Sequence, residues 1–238
     1  MRPLALAALS LAVALPLTGL TATDSAFAQS PASRTVPIAE CDGVPKVHEA
    51  GSDAYLCTRK ELGPVNVPTD PLVSQLLLGY DRLGGVTPAR FLDWYRDWRG
   101  WKYPDHQGFN EIDGVLDMTE QELMEHQKLD RFGNNDYGAY VATAGTPFAQ
   151  RALPPDSLNG GDANYHCFEV TKPFKVQQGQ SAGAFSQPGK GIQQWLDPSL
   201  KPDDITSSTY DITALITAHY LTEHVTDKDF CLKVDNAS

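Results

Sequence analysis

The sequence predicts an α+β fold, with a mostly helical first half and a small sheet in the second half. In the first half, apolar residues recur at helical spacing behind residues that cap helices well. From about residue 129 onward, short runs of β-branched and aromatic residues are bounded by glycine and proline. This second pattern is typical of strands joined by tight loops.

The chain begins with a segment typical of secretory signals. After Arg2, the apolar run "LALAALSLAVALPLTGL" leads to "AFA" at Ala26 to Ala28, which suits cleavage by signal peptidase. Pro16 and several threonines interrupt the run, so an uncleaved transmembrane anchor is the less favoured alternative. We therefore predict a signal peptide over residues 1–28, a secreted protein and no membrane partner.

Length and charge limit the remaining classes. Removing 28 of the 238 residues leaves 210, enough for one substantial domain with a smaller appendage. We predict an N-terminal extension over residues 29–118 and a sheet-based domain over residues 119–238. The formal net charge of -11 argues against nucleic-acid binding, because neutralising phosphates requires clustered Lys and Arg.

Four cysteines, Cys41, Cys57, Cys167 and Cys231, predict two disulfides in an exported chain, with three possible pairings. We favour Cys41 with Cys57, which closes a short local loop, and Cys167 with Cys231, which ties the chain end to a strand. No CxxC pair occurs, so we expect no structural zinc site. No cysteine is left over to act as a nucleophile.

Helices are predicted from capping signals that follow an irregular lead-in rich in Pro and Gly. Asp70 and Thr87 are each followed by a proline, which is well tolerated in the first helical turn. Thr119 and Glu122 are spaced as a capping box. The predicted helices span residues 70–83, 87–98, 118–127 and 209–224, and the predicted strands lie within residues 138–145, 164–178 and 190–196.

An aromatic cluster marks the second predicted helix and the residues after it: Trp94, Tyr95, Trp98, Trp101 and Tyr103. Such a cluster can form a platform that binds carbohydrate. The alternative is the core of a small helical subdomain, which we favour because apolar residues at helical spacing usually indicate burial.

Two motifs in the second half suggest chemistry but lack the expected context. "GQSAG", Gly179 to Gly183, matches G-x-S-x-G with Ser181 as nucleophile, but that motif requires a helix directly after the serine. The following "AFSQPGKG" is too rich in Pro and Gly to form one. "GKG" at Gly189 to Gly191 lacks the spacing of a phosphate-binding P-loop. A serine hydrolase therefore remains a weak alternative.

The stretches around Arg131 and Arg151 have an unusual composition. "DRFG" sets Arg131 beside an aromatic residue and a glycine, "QRALPP" sets Arg151 before two prolines, and "YHCF" places His166 on a predicted strand. Two guanidiniums and an imidazole that converge would suit a diphosphate or a ribose phosphate. The alternative, left open by composition, is structural ion pairing of Arg131 with Asp130 or Asp136, and of Arg151 with Asp156.

The ordered series "LDRFG", "GAYVATAGTPFAQRALPP", "YHCFEVTKPFKVQQG" and "FSQPGKGIQQW" resembles the tuberculosis necrotizing toxin family of NAD glycohydrolases, which includes secreted fungal relatives. The resemblance covers roughly residues 125–225. It implies a toxin-like catalytic domain that hydrolyses NAD, and NADP as well, at the bond between nicotinamide and ribose. The products would be nicotinamide and ADP-ribose, with no cofactor.

The resemblance also implies roles for six residues. Arg131 and Gln193 would be catalytic, and the substrate-binding residues would be Phe132, Tyr140, Arg151 and His166. Gln193 follows from aligning "GKGIQQW" with the family pattern G-G-G-x-Q-[YF]. Gln194 stands where that pattern has an aromatic residue, so a shift of one position would make Gln194 the catalytic residue, and only one of the two can face the cleft.

The secreted relatives further suggest a homodimer and a calcium site near the chain end. The acidic residues there form no clear ligand set, so we predict no metal site. Three alternatives to the hydrolase stay open: an ADP-ribosyltransferase, a nucleotide-binding protein without turnover, and a serine hydrolase that uses Ser181.

Overall fold

The computed structural model describes residues 38–233 of the chain. The predicted signal peptide lies outside these residues. Among the described residues, no helix has both the length and the apolar character needed to cross a membrane.

Helices in the described part are short. Asp70 accepts hydrogen bonds from the backbone N–H groups of Leu72 and Val73, and Thr87 accepts one from Arg90, so both predicted caps are confirmed. The first and last α-helices end several residues before their predicted C-terminal ends. The α-helices are α1 (Pro71–Leu76), α2 (Pro88–Tyr95), α3 (Phe148–Arg151) and α4 (Ile212–Thr217).

The strands confirm the α+β class and add segments that the sequence did not predict. They are β1 (Arg96–Asp97), β2 (Gly100–Trp101), β3 (Glu111–Ile112), β4 (Val115–Leu116), β5 (Thr119–Leu123), β6 (Lys128–Phe132), β7 (Tyr140–Thr143), β8 (Tyr165–Val170), β9 (Phe174–Gln180), β10 (Ile192–Trp195) and β11 (Leu221–Glu223). β1 pairs with β2 and β3 with β4 as small hairpins. The other seven strands form one antiparallel sheet in the order β11-β8-β6-β7-β10-β9-β5.

The helix predicted over residues 118–127 is wrong. Residues 119–123 form β5, which pairs with β9 from Thr119 opposite Gln178 to Leu123 opposite Phe174. Leu123 is buried, whereas the four residues before it are exposed. An edge strand with a solvated face tolerates this polar sequence, and pairing with β9 overrides the local helical signal.

The end of the final predicted helix is also a strand. α4 is capped by Asp211, whose carboxylate accepts from the N–H of Ala214. His219 adopts a left-handed conformation (φ 59°), which ends the helical path. Leu221 and the next two residues then pair with β8 as the sheet edge.

Two apolar cores lie on the two faces of the sheet. Because side chains alternate along a strand, Leu129, Val141 and Phe168 pack on one face with α4, while Phe132 and Tyr165 pack on the other with α1. Both favoured disulfides are confirmed. Cys41 bonds to Cys57, and Cys167 of β8 bonds to Cys231, which fastens the chain end to the second core.

Part of the aromatic cluster is packed in a small core, and part of it is exposed to solvent. Tyr95 and Trp101 pack against Phe185, with ring centroids 5.5 and 5.4 Å away, as expected for a small core. Trp98 stands at the turn of the β1–β2 hairpin with 85% of its surface exposed. The predicted boundary between residues 118 and 119 coincides with the start of β5 and otherwise stays a prediction.

Candidate active site

Arg131 and His166 face each other across two central strands. β6 pairs with β8 in a register that sets Arg131 opposite His166. The two Nη atoms of Arg131 donate to backbone carbonyls, one to Tyr140 at 3.1 Å and one to Asn134 at 2.8 Å. A Cβ atom on Gly138 would lie 1.8 Å from Nη1 of Arg131, so only glycine leaves room for the guanidinium there.

The charge of Arg131 is not compensated within the described part of the chain. Its hydrogen-bond partners are neutral carbonyls, and neither Asp130 nor Asp136 pairs with it, so that alternative from the sequence is wrong. Burial lowers the pKa of Arg131 to about 10, which still leaves it cationic at neutral pH. Its Nε is buried without a partner in the described structure. A largely desolvated, unpaired cation is costly unless an anion neutralises it.

His166 belongs to a polar cluster beside Arg131. Its Nδ1 lies 2.6 Å from Oε1 of Glu223 on β11 and 3.2 Å from Nδ2 of Asn135. The same Nδ2 atom of Asn135 donates to Oε2 of Glu223 at 3.3 Å. Because the carboxylate can only accept, Nδ1 of His166 carries a proton toward Glu223, and Nε2 is left as the free ring nitrogen.

Arg151 forms a buried ion pair, but with Asp130 rather than with Asp156. Nη1 of Arg151 lies 2.6 Å from Oδ1 of Asp130, and the two side chains are 5% and 0% exposed. Nε and Nη2 of Arg151 both donate to the carbonyl of Thr146. Oδ2 of Asp130 accepts from Tyr165 and from the N–H of Gly145. The pair thus fastens α3 and the loop before it to the middle of the sheet.

Phe132, which the family resemblance assigns to substrate binding, lies in the second core. Its ring contacts Phe148 at 5.0 Å and Tyr165 at 5.1 Å between centroids, and the guanidinium of Arg151 lies 5.3 Å from its centre. Alternation along β6 turns Phe132 to this face, because Arg131 points to the other one.

Tyr140 and Gln193 are joined by a residue that the sequence did not indicate. The hydroxyl of Tyr140 donates to Oε1 of Gln107 at 2.8 Å, and Nε2 of Gln193 donates to the backbone carbonyl of Gln107 at 3.4 Å. Trp195, two residues after Gln193, pairs with Tyr140 across β10 and β7, so Gln193 and Tyr140 share one face. Burial raises the pKa of the Tyr140 hydroxyl.

Gln194 has the opposite environment. It is 1% exposed, and its amide nitrogen donates to Thr143 and Gln178 within the sheet. Gln193 is half-buried at the surface beside Gln107. Of the two glutamines, Gln193 is therefore the one that a ligand can reach on the Tyr140 side.

The six predicted residues do not form a single ring of side chains. Register and alternation set Tyr140, Gln193 and Phe132 toward one face of the sheet, and Arg131 and His166 toward the other. The guanidinium of Arg131 reaches across Gly138 to the backbone of Tyr140 at the start of β7. Arg131 and the backbone of Tyr140 therefore lie together at this end of β7.

All six residues, and the strands β6 to β11, lie within residues 122–224, and this segment matches a known family. The family is Tuberculosis necrotizing toxin. We refer to residues 122–224 as the toxin-family segment. Gln107 lies outside it, in the N-terminal extension.

The chain is also similar to a fungal protein, over more residues than the toxin-family segment contains. The chain is 39% identical over 156 residues to the conidial surface nicotinamide adenine dinucleotide glycohydrolase nadA of Aspergillus fumigatus. The alignment covers 60% of this chain and 64% of that protein, less than two thirds of its length.

Two solved structures show more distant likeness. Tuberculosis necrotizing toxin in complex with its immunity factor is 22% identical, with a TM-score of 0.42, over 64% of this chain and 82% of that one. Rhs1-CT in complex with its cognate immunity protein is 13% identical, with a TM-score of 0.28, over 37% of this chain and 77% of that one.

Ser181 directly follows strand β9 and is not arranged as a nucleophile. It is 2% exposed, and its hydroxyl donates to the carbonyl of Gln150 at 2.6 Å. No helix follows it; residues 184–187 form a turn closed by a bridge between Ala184 and Gln187. The structure therefore contradicts the serine-hydrolase alternative.

Sequence reasoning missed three polar residues of this region, Asn135, Glu223 and Gln107, and it offered Asp130 only as a partner of Arg131. Glu223 lay in a predicted helix, and the others are ordinary in local sequence. Their partners are distant in the chain, so no local signal could have indicated them. In the part of the chain that the structure covers, no three His, Cys, Asp or Glu side chains are grouped closely enough to hold a metal ion.

Proposed function

We propose that this chain is an NAD glycohydrolase, which hydrolyses the bond between nicotinamide and ribose to give nicotinamide and ADP-ribose. The observation that carries the proposal is the 39% identity over 156 residues to a protein named as an NAD glycohydrolase. The match of residues 122–224 to the toxin family agrees with it.

The polar groups beside Gln193 suit this reaction. Nicotinamide on NAD is a cationic leaving group that departs neutral, so the bond breaks without the general acid that most glycosidases need. The remaining task is to stabilise an oxocarbenium-like ribose and to position water. We assign that task to Oε1 of Gln193, a neutral acceptor whose amide is oriented from the Nε2 side by Gln107.

The uncompensated cation supports binding of a diphosphate. Arg131 is largely buried, and its hydrogen-bond partners among the described residues are neutral carbonyls. An anionic oxygen would therefore make charge-assisted hydrogen bonds there. In a chain of net charge -11, attraction of an anion has to come from such a local group. We assign Arg131 to the diphosphate and ribose side of NAD, with Tyr140 and His166 as further contacts.

Two of the predicted substrate-binding residues take a different role in the proposal. Arg151 is engaged by Asp130 and Thr146, and Phe132 is packed beneath it. We therefore propose that both are positioning residues, which hold the strands under the site without touching NAD.

We further propose that the chain also hydrolyses NADP, forms a homodimer and is secreted to act outside the cell. The name of the A. fumigatus relative, a conidial surface protein, supports the location. Activity assays with NADP and the mass of the protein in solution test the other two.

The deciding experiment incubates the purified protein with NAD and separates the products by chromatography. A hydrolase releases nicotinamide and ADP-ribose in equal amounts, whereas an ADP-ribosyltransferase leaves part of the ADP-ribose on an acceptor. Intact NAD after prolonged incubation with folded protein would leave only a binding protein and refute the proposal.

Substitution of the two neighbouring glutamines tests the assignment of residues. Gln193→Ala should reduce turnover by about 100-fold or more, the range seen when a group that stabilises transition-state charge is removed, while NAD binding by calorimetry is largely kept. Gln194→Ala is the matched control, which should affect stability more than turnover because its amide bonds lie within the sheet. The reverse result would move the assignment to Gln194.

A further inference from the structure

The extension that precedes the toxin-family segment reaches Gln193 through a turn of unusual conformation. His106 and Gln107 have positive φ angles of 55° and 58°, and Gly108 follows at 76°. Left-handed conformations are unfavourable for residues other than glycine, and they persist only where the surroundings enforce them. Here the turn presents both the backbone carbonyl and the side chain of Gln107 to the site.

The residues after the turn are fastened to the end of β9. Phe109 is buried and forms a bridge with Ser181, and the carbonyl of Gly108 accepts from the N–H of Ala182 at 2.8 Å. The N–H of Asn110 donates to the carbonyl of Gln180 at 2.8 Å. Through these hydrogen bonds the extension pairs with the "GQSAG" segment.

The close approach of the extension explains why position 179, at the start of that segment, is a glycine. A Cβ atom on Gly179 would lie 1.7 Å from the carbonyl oxygen of Asp117 and 3.1 Å from the ring of Phe109. Gly179 also pairs with Gln193 across β9 and β10. The extension is therefore docked directly beside Gln193.

The contacts of Gln107 determine how two side chains of the site are turned. A backbone carbonyl can only accept, so the amide of Gln193 must direct Nε2 toward Gln107, and Oε1 is the atom left for a ligand. The contact of 3.4 Å is long, as hydrogen bonds in unliganded catalytic sites often are. The side chain of Gln107 accepts from the Tyr140 hydroxyl at 2.8 Å, which holds that ring beside Gln193.

From these contacts we infer that Gln107 is a positioning residue for NAD hydrolysis, supplied by the N-terminal extension. It orients the Gln193 amide through its backbone and the Tyr140 ring through its side chain. The inference rests on the proposed function and adds that the extension is part of the active site, although it lies outside the segment that matches the toxin family.

The test uses the whole secreted chain and side-chain variants of Gln107. Gln107→Met keeps the bulk but removes the acceptor for Tyr140, and it should lower kcat by about 3- to 10-fold, the effect of one net hydrogen bond, with a smaller change in KM. Gln107→Glu keeps an acceptor and should restore most of the rate. Gln121→Met, on the exposed face of β5, is the matched control and should equal the wild type.

A double-mutant cycle separates positioning from general loosening. If Gln107 acts through the Tyr140 hydroxyl, Gln107→Met should lower kcat little further in a Tyr140→Phe background. Losses that multiply, or a wild-type rate in Gln107→Met, would overturn the inference. Should the methionine variant fail to fold, Gln107→Asn replaces it, because Asn tolerates left-handed φ and its shorter side chain cannot reach Tyr140.

The two proposals fail in different ways. If the wild-type protein releases no nicotinamide from NAD, the proposed function fails. If the wild type is active and the Gln107 variants match the Gln121 control, the hydrolase stands and the role of Gln107 fails.

Discussion

Replacing each of the two arginines by methionine should have opposite consequences for stability and activity. Arg151→Met leaves the fully buried carboxylate of Asp130 without its cation, which lies 2.6 Å away in the folded chain. Removing one partner of a buried pair costs about 3–5 kcal/mol. For a domain of this size that corresponds to a fall in Tm of about 6–20 °C, at about 2–4 °C per kcal/mol.

Arg131→Met removes a cation that has no carboxylate partner among the described residues. Two hydrogen bonds to carbonyls are lost, each worth about 1 kcal/mol net, and relief from burying an unpaired charge offsets part of that loss. The stability change should therefore be about 2 kcal/mol or less, while KM for NAD rises by at least about 10-fold because the diphosphate loses its charged donor.

The assay is urea unfolding followed by tryptophan fluorescence with the disulfides intact, alongside steady-state kinetics at a temperature where every variant is folded. A cycle with Asp130→Asn adds a second check. The double variant Asp130→Asn/Arg151→Met should lose less stability than the sum of the single variants. If Arg151→Met is as stable as the wild type but binds NAD poorly, Arg151 is a ligand and the reasoning is refuted.

Two further predictions concern carboxylates near the site. Glu223→Ala removes the acceptor of both His166 and Asn135 and should lower the free energy of unfolding, measured by thermal unfolding, by about 1–3 kcal/mol. Glu223→Gln keeps an acceptor and should lower it by less than half as much. Equal losses in the two variants would contradict the role of the acceptor. Burial raises the pKa of Asp156, so the folded chain binds this proton more tightly than the unfolded chain does. The resulting stability is fully present below about pH 4 and is lost as pH rises through the folded pKa. Asp156→Asn, which can still accept from Trp101, should flatten that decline in Tm, and parallel Tm–pH curves for the two proteins would count against it.

The central strand β6 shows why part of the fold was hidden in the sequence. "LDRFG" lies outside the predicted strands, and two of its residues are charged. Asp130 can occupy the middle of a sheet only because Arg151, Tyr165 and the N–H of Gly145 surround it. Those partners come from distant segments, so a local pattern predicts solvent exposure where the folded chain has a buried ion pair.

Signals confined to a few neighbouring residues were read correctly. Asp70 and Thr87 cap their helices because the capping bond joins residues two or three positions apart. The same local logic failed at Thr119, where a capping pattern became an edge strand once β9 offered a partner. Local energies of about 1 kcal/mol are easily outweighed by pairing along a whole strand.

The sequence by itself determined the α+β class and the order of the motifs, and it favoured the two cysteine pairings that the structure then confirmed. It could not determine which arginine pairs with a carboxylate, since Arg131 and Arg151 are equally charged and each has acidic neighbours in the chain. Only the tertiary structure decided this, because ion pairing depends on distance in space. Folding brings Arg151 against Asp130, turns Arg131 toward neutral carbonyls, and carries Gln107 of the extension to Gln193.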